Sequence, residues 1–305
     1  MGRSTWSDDA ATHISASYKS KSVDDIFKTK TIASDMDPKN LTVRESRDSD
    51  VHPNSIAVMV FLDETGSMGE IPEAIARGKL GALMNTIIDN GVQDPQILFA
   101  AIGDHISDYY PLQVGQFESG TEELNKWLTS MNLEGRGGGQ DMESYLLAWL
   151  IAGRHTSIDC FEKRNTKGFL FTIGDERSWN CVDAGRLKKL LGYAQAEDIT
   201  DVQVLEEAQR LYNVYHIHIN ETGYRDDPTV LGYWKRMLGE RLIVLNDYNA
   251  VCETIATLIA VQHGVDMKTV TSKFSAAIAG AVTTALVAVS TGTIVSTNDD
   301  GVIKL

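Results

Sequence analysis

The sequence predicts an α/β fold, in which a doubly wound, mainly parallel β-sheet is flanked by helices. Apolar runs of strand length, such as IAVMVFL (residues 56–62) and GFLFTI (168–173), alternate with longer segments of helical periodicity. A run that is apolar at every position is typical of a strand covered on both faces. Buried strands that alternate with helices are joined by right-handed crossovers and form a parallel sheet.

The elements follow in order along the chain. Strands are predicted where short apolar runs occur, and helices where apolar residues recur with a helical period. The predicted strands cover residues 55–62, 97–102, the region near Tyr109, 168–173, 214–219 and 241–245. The predicted helices cover residues 72–90, 121–131, 143–155 and 248–263.

The sequence divides into three predicted parts. Residues 1–53 are polar and rich in Ser, Asp and Lys, which indicates an extended N-terminal arm that pairs with or wraps around the domain. Residues 54–265 form the α/β domain. Residues 266–305 are predicted to form a helix of small residues followed by a hairpin around NDDG (298–301). The uncharged stretch in this extension has membrane-spanning length, but its many Ala, Gly, Thr and Ser residues favour the helix and hairpin.

Composition limits the classes of partner. The 305 residues include 28 Lys and Arg against 42 Asp and Glu, a formal net charge of −14. We expect no nucleic-acid partner, because this charge repels phosphate and no basic stripe offsets it. Cys160, Cys181 and Cys252 lack CxxC spacing, which indicates neither a disulfide framework nor a zinc site. The N-terminus lacks an apolar signal segment, so we expect a cytoplasmic protein without a membrane span.

Three loops rich in oxygen donors are expected to meet at one edge of the sheet. They are DETGSM (63–68), GRGGGQDMES (135–144) and GDERS (174–178). Ligands of parallel α/β sheets bind beyond the carboxyl ends of the strands, where these loops belong. Asp63, Thr65 and Ser67 alternate along the chain, so their oxygens can converge on one point. Asp175 adds a second carboxylate, and such hard oxygen donors suit Mg²⁺ or Mn²⁺.

The segment LDETGSM (62–68) resembles the metal-ion-dependent adhesion site (MIDAS) of von Willebrand factor A (vWA) domains, whose signature is Asp-x-Ser/Thr-x-Ser. The resemblance covers about residues 55–263 and implies a parallel sheet flanked by helices, with a metal ion at its top. The metal ligands that it implies are Asp63, Thr65, Ser67 and, after the fourth strand, Asp175.

This chain departs from the family in the second loop. The family usually offers a Thr there, whereas this chain has Gln140 followed by Asp141. An oxygen of Gln140, Asp141 or Glu143 could fill that position. Four acids are expected at the edge of the site: Asp104, Asp108, Glu143 and Glu176. Asp104 and Asp108, which follow the second buried strand, either shape the site or touch a partner, or else they cap a solvent-exposed loop.

The resemblance implies a divalent-metal-dependent protein-binding module without catalysis of its own. In vWA domains the metal keeps one coordination position open, and an Asp or Glu of the partner protein fills it. Mg²⁺ is the expected ion, with Mn²⁺ or Ca²⁺ as alternatives. By analogy with intracellular vWA domains, the partner is expected to be an AAA+ ATPase or a component of an assembly.

Two other functions remain open at this stage. DETGS also resembles the first motif of haloacid-dehalogenase-type phosphohydrolases, in which Asp63 would be the nucleophile. Those enzymes need a lysine that stabilises the charge of the phosphoryl group, and a further acid. In this chain Lys167 lies before the strand 168–173, and Trp179 occupies the position where the acid is needed. The third hypothesis is a structural or assembly protein with a metal-stabilised vWA fold.

Overall fold

The computed structural model describes residues 4–66, 68–135, 141–193, 196–287 and 289. The strands are β1 Arg44–Ser46, β2 Ile56–Asp63, β3 Pro95–Ile102, β4 Leu112–Val114, β5 Met142–Glu143, β6 Thr156–Ile158, β7 Gly168–Gly174, β8 Arg177–Ser178, β9 Cys181–Val182, β10 Ile199–Thr200, β11 Tyr212–Ile219 and β12 Leu242–Leu245. The helices are α1 Asp8–Tyr18, α2 Val23–Ile26, α3 Glu70–Ala74, α4 Leu80–Asp89, α5 Thr121–Thr129, α6 Tyr145–Arg154, α7 Asp159–Glu162, α8 Ala184–Leu191, α9 Asp201–Leu211, α10 Pro228–Leu238, α11 Val251–Gln262, α12 Met267–Thr271 and α13 Ala276–Leu286.

Within the described residues, six strands form the central sheet in the order β12–β11–β7–β2–β3–β4. Neighbouring strands are parallel except β3 and β4, which pair in antiparallel fashion. Every residue of β2, β3 and β7 is buried, as expected for strands with both faces covered. The predicted fold class, a mainly parallel sheet flanked by helices, is confirmed.

The side of the sheet to which the chain adds successive strands changes between β2 and β7. From β2 the chain proceeds to β3 and β4 on one side, whereas β7, β11 and β12 follow one another on the other side. Leu62 pairs with Ile173 near the end of both strands, so Asp63 and Gly174 end adjacent strands. Such a reversal opens a crevice at the carboxyl ends of the strands, which is where ligands bind in open α/β sheets.

The N-terminal arm is partly helical, and the prediction that it is extended is wrong for α1. The hydroxyl of Ser7 accepts a hydrogen bond from the amide of Ala10, and the acidic first turn of α1 complements the helix dipole. No residue of α1 is buried, which explains why its sequence lacks apolar periodicity. The indole of Trp6 donates a hydrogen bond to Oδ1 of Asn85 at 2.7 Å and attaches the arm to α4.

The later part of the arm lies along the edge of the central sheet. The carbonyl oxygen of Met36 accepts a hydrogen bond from the amide of Val114, which covers the open edge of β4. The guanidinium of Arg44 donates to the carbonyl oxygens of Asp35 and Val114. β1 then pairs in parallel with β6. The arm therefore contacts the domain at several points, while the predicted boundaries at residues 53 and 265 stay predictions.

Two predicted elements have different bounds in the structure. The helix expected at residues 72–90 begins at Glu70 and is kinked between α3 and α4 at Gly78, whose φ of 159° and ψ of −16° are not helical. A kink at one glycine leaves the apolar pattern on either side intact, so sequence periodicity does not reveal it. The strand expected near Tyr109 is β4, which begins three residues later and is preceded by a loop.

The C-terminal part contains α11, which is buried over residues 251–260, and α13, the expected helix of small residues. The predicted hairpin lies outside the described residues. Among the described residues, no helix combines the length and the hydropathy needed to cross a lipid bilayer.

Candidate metal centre

Asp63 and Asp175 lie at the ends of the two strands that flank the reversal. Asp63 is the last residue of β2, and Asp175 directly follows β7. Each is only 1% exposed. Burial, followed by the negative charge of Asp175, raises the pKa of Asp63 to about 7. The sheet thus brings together the two carboxylates that the sequence analysis assigns to one site.

Both oxygens of Asp63 are held in place. Its Oδ1 accepts hydrogen bonds from the amide and the hydroxyl of Thr65, at 2.9 Å and 2.6 Å. Its Oδ2 accepts a hydrogen bond from the hydroxyl of Tyr145 at 2.5 Å. A Cβ atom at Gly174 would lie 1.8 Å from the oxygen of Tyr145 and 2.7 Å from Oδ2 of Asp63. Only glycine fits there, because any side chain would displace the hydroxyl from the carboxylate.

The second and third loops are joined to each other. β5 pairs in parallel with β8, and the amide of Trp179 donates a hydrogen bond to the carbonyl oxygen of Glu143. The carboxylate of Asp141 accepts hydrogen bonds from Nε and Nη2 of Arg177, at 2.8 Å and 3.2 Å. These hydrogen bonds lower the pKa of Asp141. A fixed cation therefore already neutralises Asp141.

Glu143 is the acid of the second loop that interacts most strongly with Asp63. It is 1% exposed, and its Oε2 has no hydrogen-bond partner among the described residues. Burial, followed by the charges of Asp63 and Glu176, raises the pKa of Glu143 to about 12. Burial, followed by the charges of Asp63 and Asp175, raises the pKa of Glu176 to about 8. Negative charge at this edge of the sheet therefore opposes the ionisation of Asp63, Glu143 and Glu176.

Asp104 and Asp108 organise the loop that follows β3. The buried carboxylate of Asp104 accepts hydrogen bonds from the hydroxyl of Ser107 and from the indole of Trp179, both at 2.8 Å. Asp108 accepts a hydrogen bond from the amide of Asp104 at 2.6 Å. Asp104 therefore attaches this loop to the third loop, and both acids position backbone at the edge of the candidate site.

Tyr145 belongs to this site, although the sequence analysis did not assign it there. It begins α6 directly after the acidic second loop, and that position is the signal that could have identified it. Its ring packs edge-on against His216 and Trp234, with centroids 5.1 Å and 5.4 Å away. The His216 ring stacks on Trp234 at 3.5 Å, and its Nδ1 lies 2.9 Å from the hydroxyl of Thr172. This buried aromatic cluster fixes the hydroxyl that holds Asp63.

Glu64 is a second residue of the site that was missed. It is 1% exposed, and its Oε2 accepts a hydrogen bond from Nε2 of Gln113 at 2.7 Å. Its Oε1 has no hydrogen-bond partner among the described residues. Burial, followed by the charge of Glu134, raises the pKa of Glu64 well above its ordinary value. No sequence pattern identifies Glu64 as a site residue, because this position of the motif accepts any residue.

The donor set fits a small divalent cation. Among the described residues, no group of three or more His, Cys, Asp or Glu side chains is arranged to hold a metal ion. The ligand set implied by the resemblance needs only two carboxylates, Asp63 and Asp175, and takes its remaining oxygens from hydroxyls and the second loop. Ser67 and Gln140 lie outside the described residues, so their assignment stays a prediction. Buried, mutually repelling carboxylates beside a hydroxyl are hard oxygen donors of the kind that Mg²⁺ prefers.

Comparisons with known proteins concern the fold. No protein-family model matches the chain. No curated protein matches it either. The vWF domain of the type V pili tip protein Mfa5 from Porphyromonas gingivalis is similar in structure, with a TM-score of 0.44 and 11% identity over 74% of this chain and 98% of that chain. An aerotolerance-related membrane protein from Bacteroides fragilis NCTC 9343 gives a TM-score of 0.38 and 14% identity over 67% of this chain and 98% of that chain.

The pilus adhesin SpaC from Lactobacillus rhamnosus GG is also similar, with a TM-score of 0.44 and 9% identity. The alignment covers 70% of this chain and 31% of SpaC, so this chain spans about a third of that adhesin's length. The described residues of this chain form a mainly parallel six-stranded sheet flanked by helices.

Proposed function

We propose that this chain is a vWA protein with a MIDAS, and that it binds a protein partner in a divalent-metal-dependent manner. One observation carries the proposal: two buried carboxylates, Asp63 and Asp175, end adjacent strands at the reversal of the sheet and repel one another. A bound dication would remove that repulsion. Mg²⁺ is the proposed ion, with Mn²⁺ or Ca²⁺ as alternatives.

The residues of the proposed site would have separate roles. Asp63, Thr65 and Asp175 would hold the ion, together with Ser67 and an oxygen of the second loop. When bound, the ion supplies an electrophilic position for a carboxylate of the partner. Tyr145 keeps Asp63 oriented through the hydrogen bond to Oδ2.

For the second loop, we propose Glu143 or Gln140 in preference to Asp141. Asp141 is already paired with Arg177, and binding a metal ion would require that ion pair to break. Glu143 interacts directly with the charge of Asp63 and has an oxygen without a hydrogen-bond partner among the described residues.

The phosphohydrolase alternative receives less support. Lys167 precedes the first residue of β7, whereas the candidate nucleophile Asp63 is the last residue of the parallel neighbour β2, so the two lie at opposite ends of the sheet. The Nζ of Lys167 donates a hydrogen bond to the carbonyl oxygen of Gln209. Trp179, at the position where those enzymes need an acid, donates a hydrogen bond to Asp104. We therefore propose a binding protein and not an enzyme.

The proposed partner is a protein that offers an Asp or Glu, either an AAA+ ATPase or an assembly component, in the cytoplasm. The test is affinity capture from an extract of the source cells. The immobilised wild-type chain and the immobilised Asp63→Asn variant are each incubated with about 2 mM Mg²⁺, a concentration in the range of weak metal sites, or with EDTA. We expect a specific protein that the wild type retains in Mg²⁺ and releases in EDTA, and that Asp63→Asn does not retain. Equal recovery in all four samples would contradict the proposal and favour a structural assembly protein.

A further inference from the structure

A surface groove lies beside the candidate metal centre. Its volume is about 310 Å³, at the small end of the range for ligand pockets. The groove runs between the Pro38–Asn40 turn of the N-terminal arm and α8, and its floor is the segment that leads into β4. We call it the basic groove and define it by Lys39, Arg186, Lys189 and Tyr109 at its rim and Pro111 and Leu112 in its floor.

The rim of the basic groove is positive on a chain that carries a net charge of −14. Lys39, Arg186 and Lys189 are all exposed. Arg186 pairs with Asp183, whereas neither lysine forms an ion pair within the described part of the chain. Two acids also line the groove, but both are engaged with backbone: Asp37 accepts a hydrogen bond from the amide of Lys39, and Asp108 accepts one from the amide of Asp104.

The interior of the basic groove is apolar. Pro111 and Leu112 are buried, and Leu190 contributes a half-buried side chain. Tyr109 is 73% exposed at the rim. A large aromatic side chain that is exposed beside an apolar floor is typical of protein-binding surfaces, where aromatic residues supply much of the affinity. The floor of the groove can therefore contact an apolar side chain of a ligand. The cations at the rim can bind anionic groups on either side of that side chain.

Two residues that line the basic groove also interact with loops of the candidate metal centre. His105 lines it, and both its amide and its Nδ1 lie 2.8 Å from the hydroxyl of Ser144, the residue after Glu143. Asp108 also lines it, and its charge acts on Glu64 in the first loop. A ligand in the groove would therefore lie against the loop after β3, which contacts the second loop through Ser144.

We propose that the basic groove binds an acidic segment of the protein partner. One apolar or aromatic side chain of the segment occupies the floor, and flanking carboxylates bind Lys39, Arg186 and Lys189. The inference rests on the proposed function, because the same partner places a further carboxylate on the metal ion. Nucleic acid fits less well, because the apolar side chains of the floor offer no hydrogen-bond donor to a phosphate backbone.

Fluorescence polarisation with a defined probe tests this inference. The probe is a fluorescein-labelled peptide with a central Phe flanked by Asp and Glu, and its control replaces those acids with Asn and Gln. Each is titrated with the full chain in Mg²⁺ and in EDTA. We expect the acidic peptide to bind at least about 10-fold more tightly than the amide peptide at low salt, since three cations face its carboxylates.

Two triple variants with the same change in charge identify the surface. In the first, Lys39→Glu, Arg186→Glu and Lys189→Glu reverse the rim; in the second, Lys235→Glu, Lys268→Glu and Lys273→Glu reverse exposed lysines outside the groove. The two variants are compared at physiological ionic strength, where the Debye length is about 8 Å. We expect the first variant to lose about 10-fold or more in affinity for the acidic peptide in both Mg²⁺ and EDTA. The second should stay within about twofold of the wild type, because charges farther from the interface than the Debye length are screened.

The outcomes separate this inference from the proposed function. Loss of binding in the rim variant alone supports the groove, whether or not Mg²⁺ strengthens binding. Binding that depends on Mg²⁺ and is equal in both triple variants would overturn the groove and leave the metal-dependent function standing. Failure of the wild type to prefer the acidic peptide in either condition would also overturn the groove.

Discussion

Replacing Asp63 with Asn is expected to abolish the stabilisation of this chain by Mg²⁺ without destabilising the metal-free protein. An amide keeps the shape of the side chain. Its oxygen can accept the hydrogen bonds from Thr65, and its nitrogen can donate to the hydroxyl oxygen of Tyr145, which reverses that hydrogen bond. It removes one full negative charge from the proposed ligand set, which we expect to weaken Mg²⁺ binding by at least about 100-fold. It also removes a buried charge beside Asp175, so the metal-free variant should be at least as stable as the wild type at pH 8.

The pH dependence of unfolding provides a test of the role of Asp63. The pKa of Asp63, about 7 in the folded metal-free chain, is raised above its ordinary value of 3.8. The folded state then holds this proton more tightly than the unfolded state, so the contribution of Asp63 to stability is full below about pH 4 and is lost as the pH rises through 7. Mg²⁺ competes with the proton, and its stabilising effect should therefore grow between pH 6 and pH 8.

Thermal unfolding with Mg²⁺ or EDTA at both pH values measures these effects. At a Mg²⁺ concentration of 100 times Kd, binding stabilises the folded state by about 2.7 kcal/mol, which corresponds to a Tm increase of roughly 5 °C for a chain of this size. The control is Asp89→Asn, at an exposed acid that ends α4 away from the site, which should behave as the wild type. A Mg²⁺ shift that persists in Asp63→Asn would contradict the assignment.

Gly174→Ala is expected to be the most destabilising single substitution at the site. The new Cβ would lie 1.8 Å from the oxygen of Tyr145 and 2.7 Å from Oδ2 of Asp63, and both partners are buried. Neither can withdraw, since Tyr145 is packed between His216 and Trp234. We expect a loss of about 3 kcal/mol in the free energy of unfolding, at the upper end of the range for overpacked cores.

Urea denaturation compares this variant with Gly81→Ala, a matched control within α4. No heavy atom lies within 4 Å of the Cβ position of Gly81, so alanine should be neutral there or stabilise the helix by up to about 1 kcal/mol. The Gly174→Ala variant should also lose Mg²⁺ binding, because the hydroxyl that holds Asp63 is displaced. Wild-type stability of Gly174→Ala would show that the Tyr145–Asp63 contact does not define the site.

The sheet and the edge that carries the candidate metal centre could be predicted because the sequence patterns that indicate them are local. Continuous apolar runs identified β2, β3 and β7, and the rule for carboxyl ends brought Asp63 and Asp175 to the same edge. The helix α1 escaped prediction because it buries no residue and so carries no periodic pattern. Its capping residue Ser7 and acidic first turn were the available signal.

The second loop could not be assigned from sequence, because three candidate oxygens follow one another within four positions. Only the fold shows that Asp141 is paired with Arg177 while Glu143 is buried near Asp63. The contact of Tyr145 with Asp63 also depends on tertiary structure, since it joins residues 82 positions apart. The requirement for glycine at position 174 also depends on tertiary structure. It arises from the hydroxyl of Tyr145 and the carboxylate of Asp63, which approach this position, and not from the backbone conformation of Gly174.

The most direct test of the central claim is the position of Mn²⁺ in crystals of this chain, located by anomalous scattering. We expect one strong peak at the carboxyl ends of β2 and β7, within about 5 Å of the carboxylates of both Asp63 and Asp175, the reach of direct or water-mediated coordination. At least one coordination position should hold solvent or an added carboxylate. A crystal in which Mn²⁺ binds elsewhere, or leaves this edge empty at saturating concentration, would contradict a metal-dependent binding site.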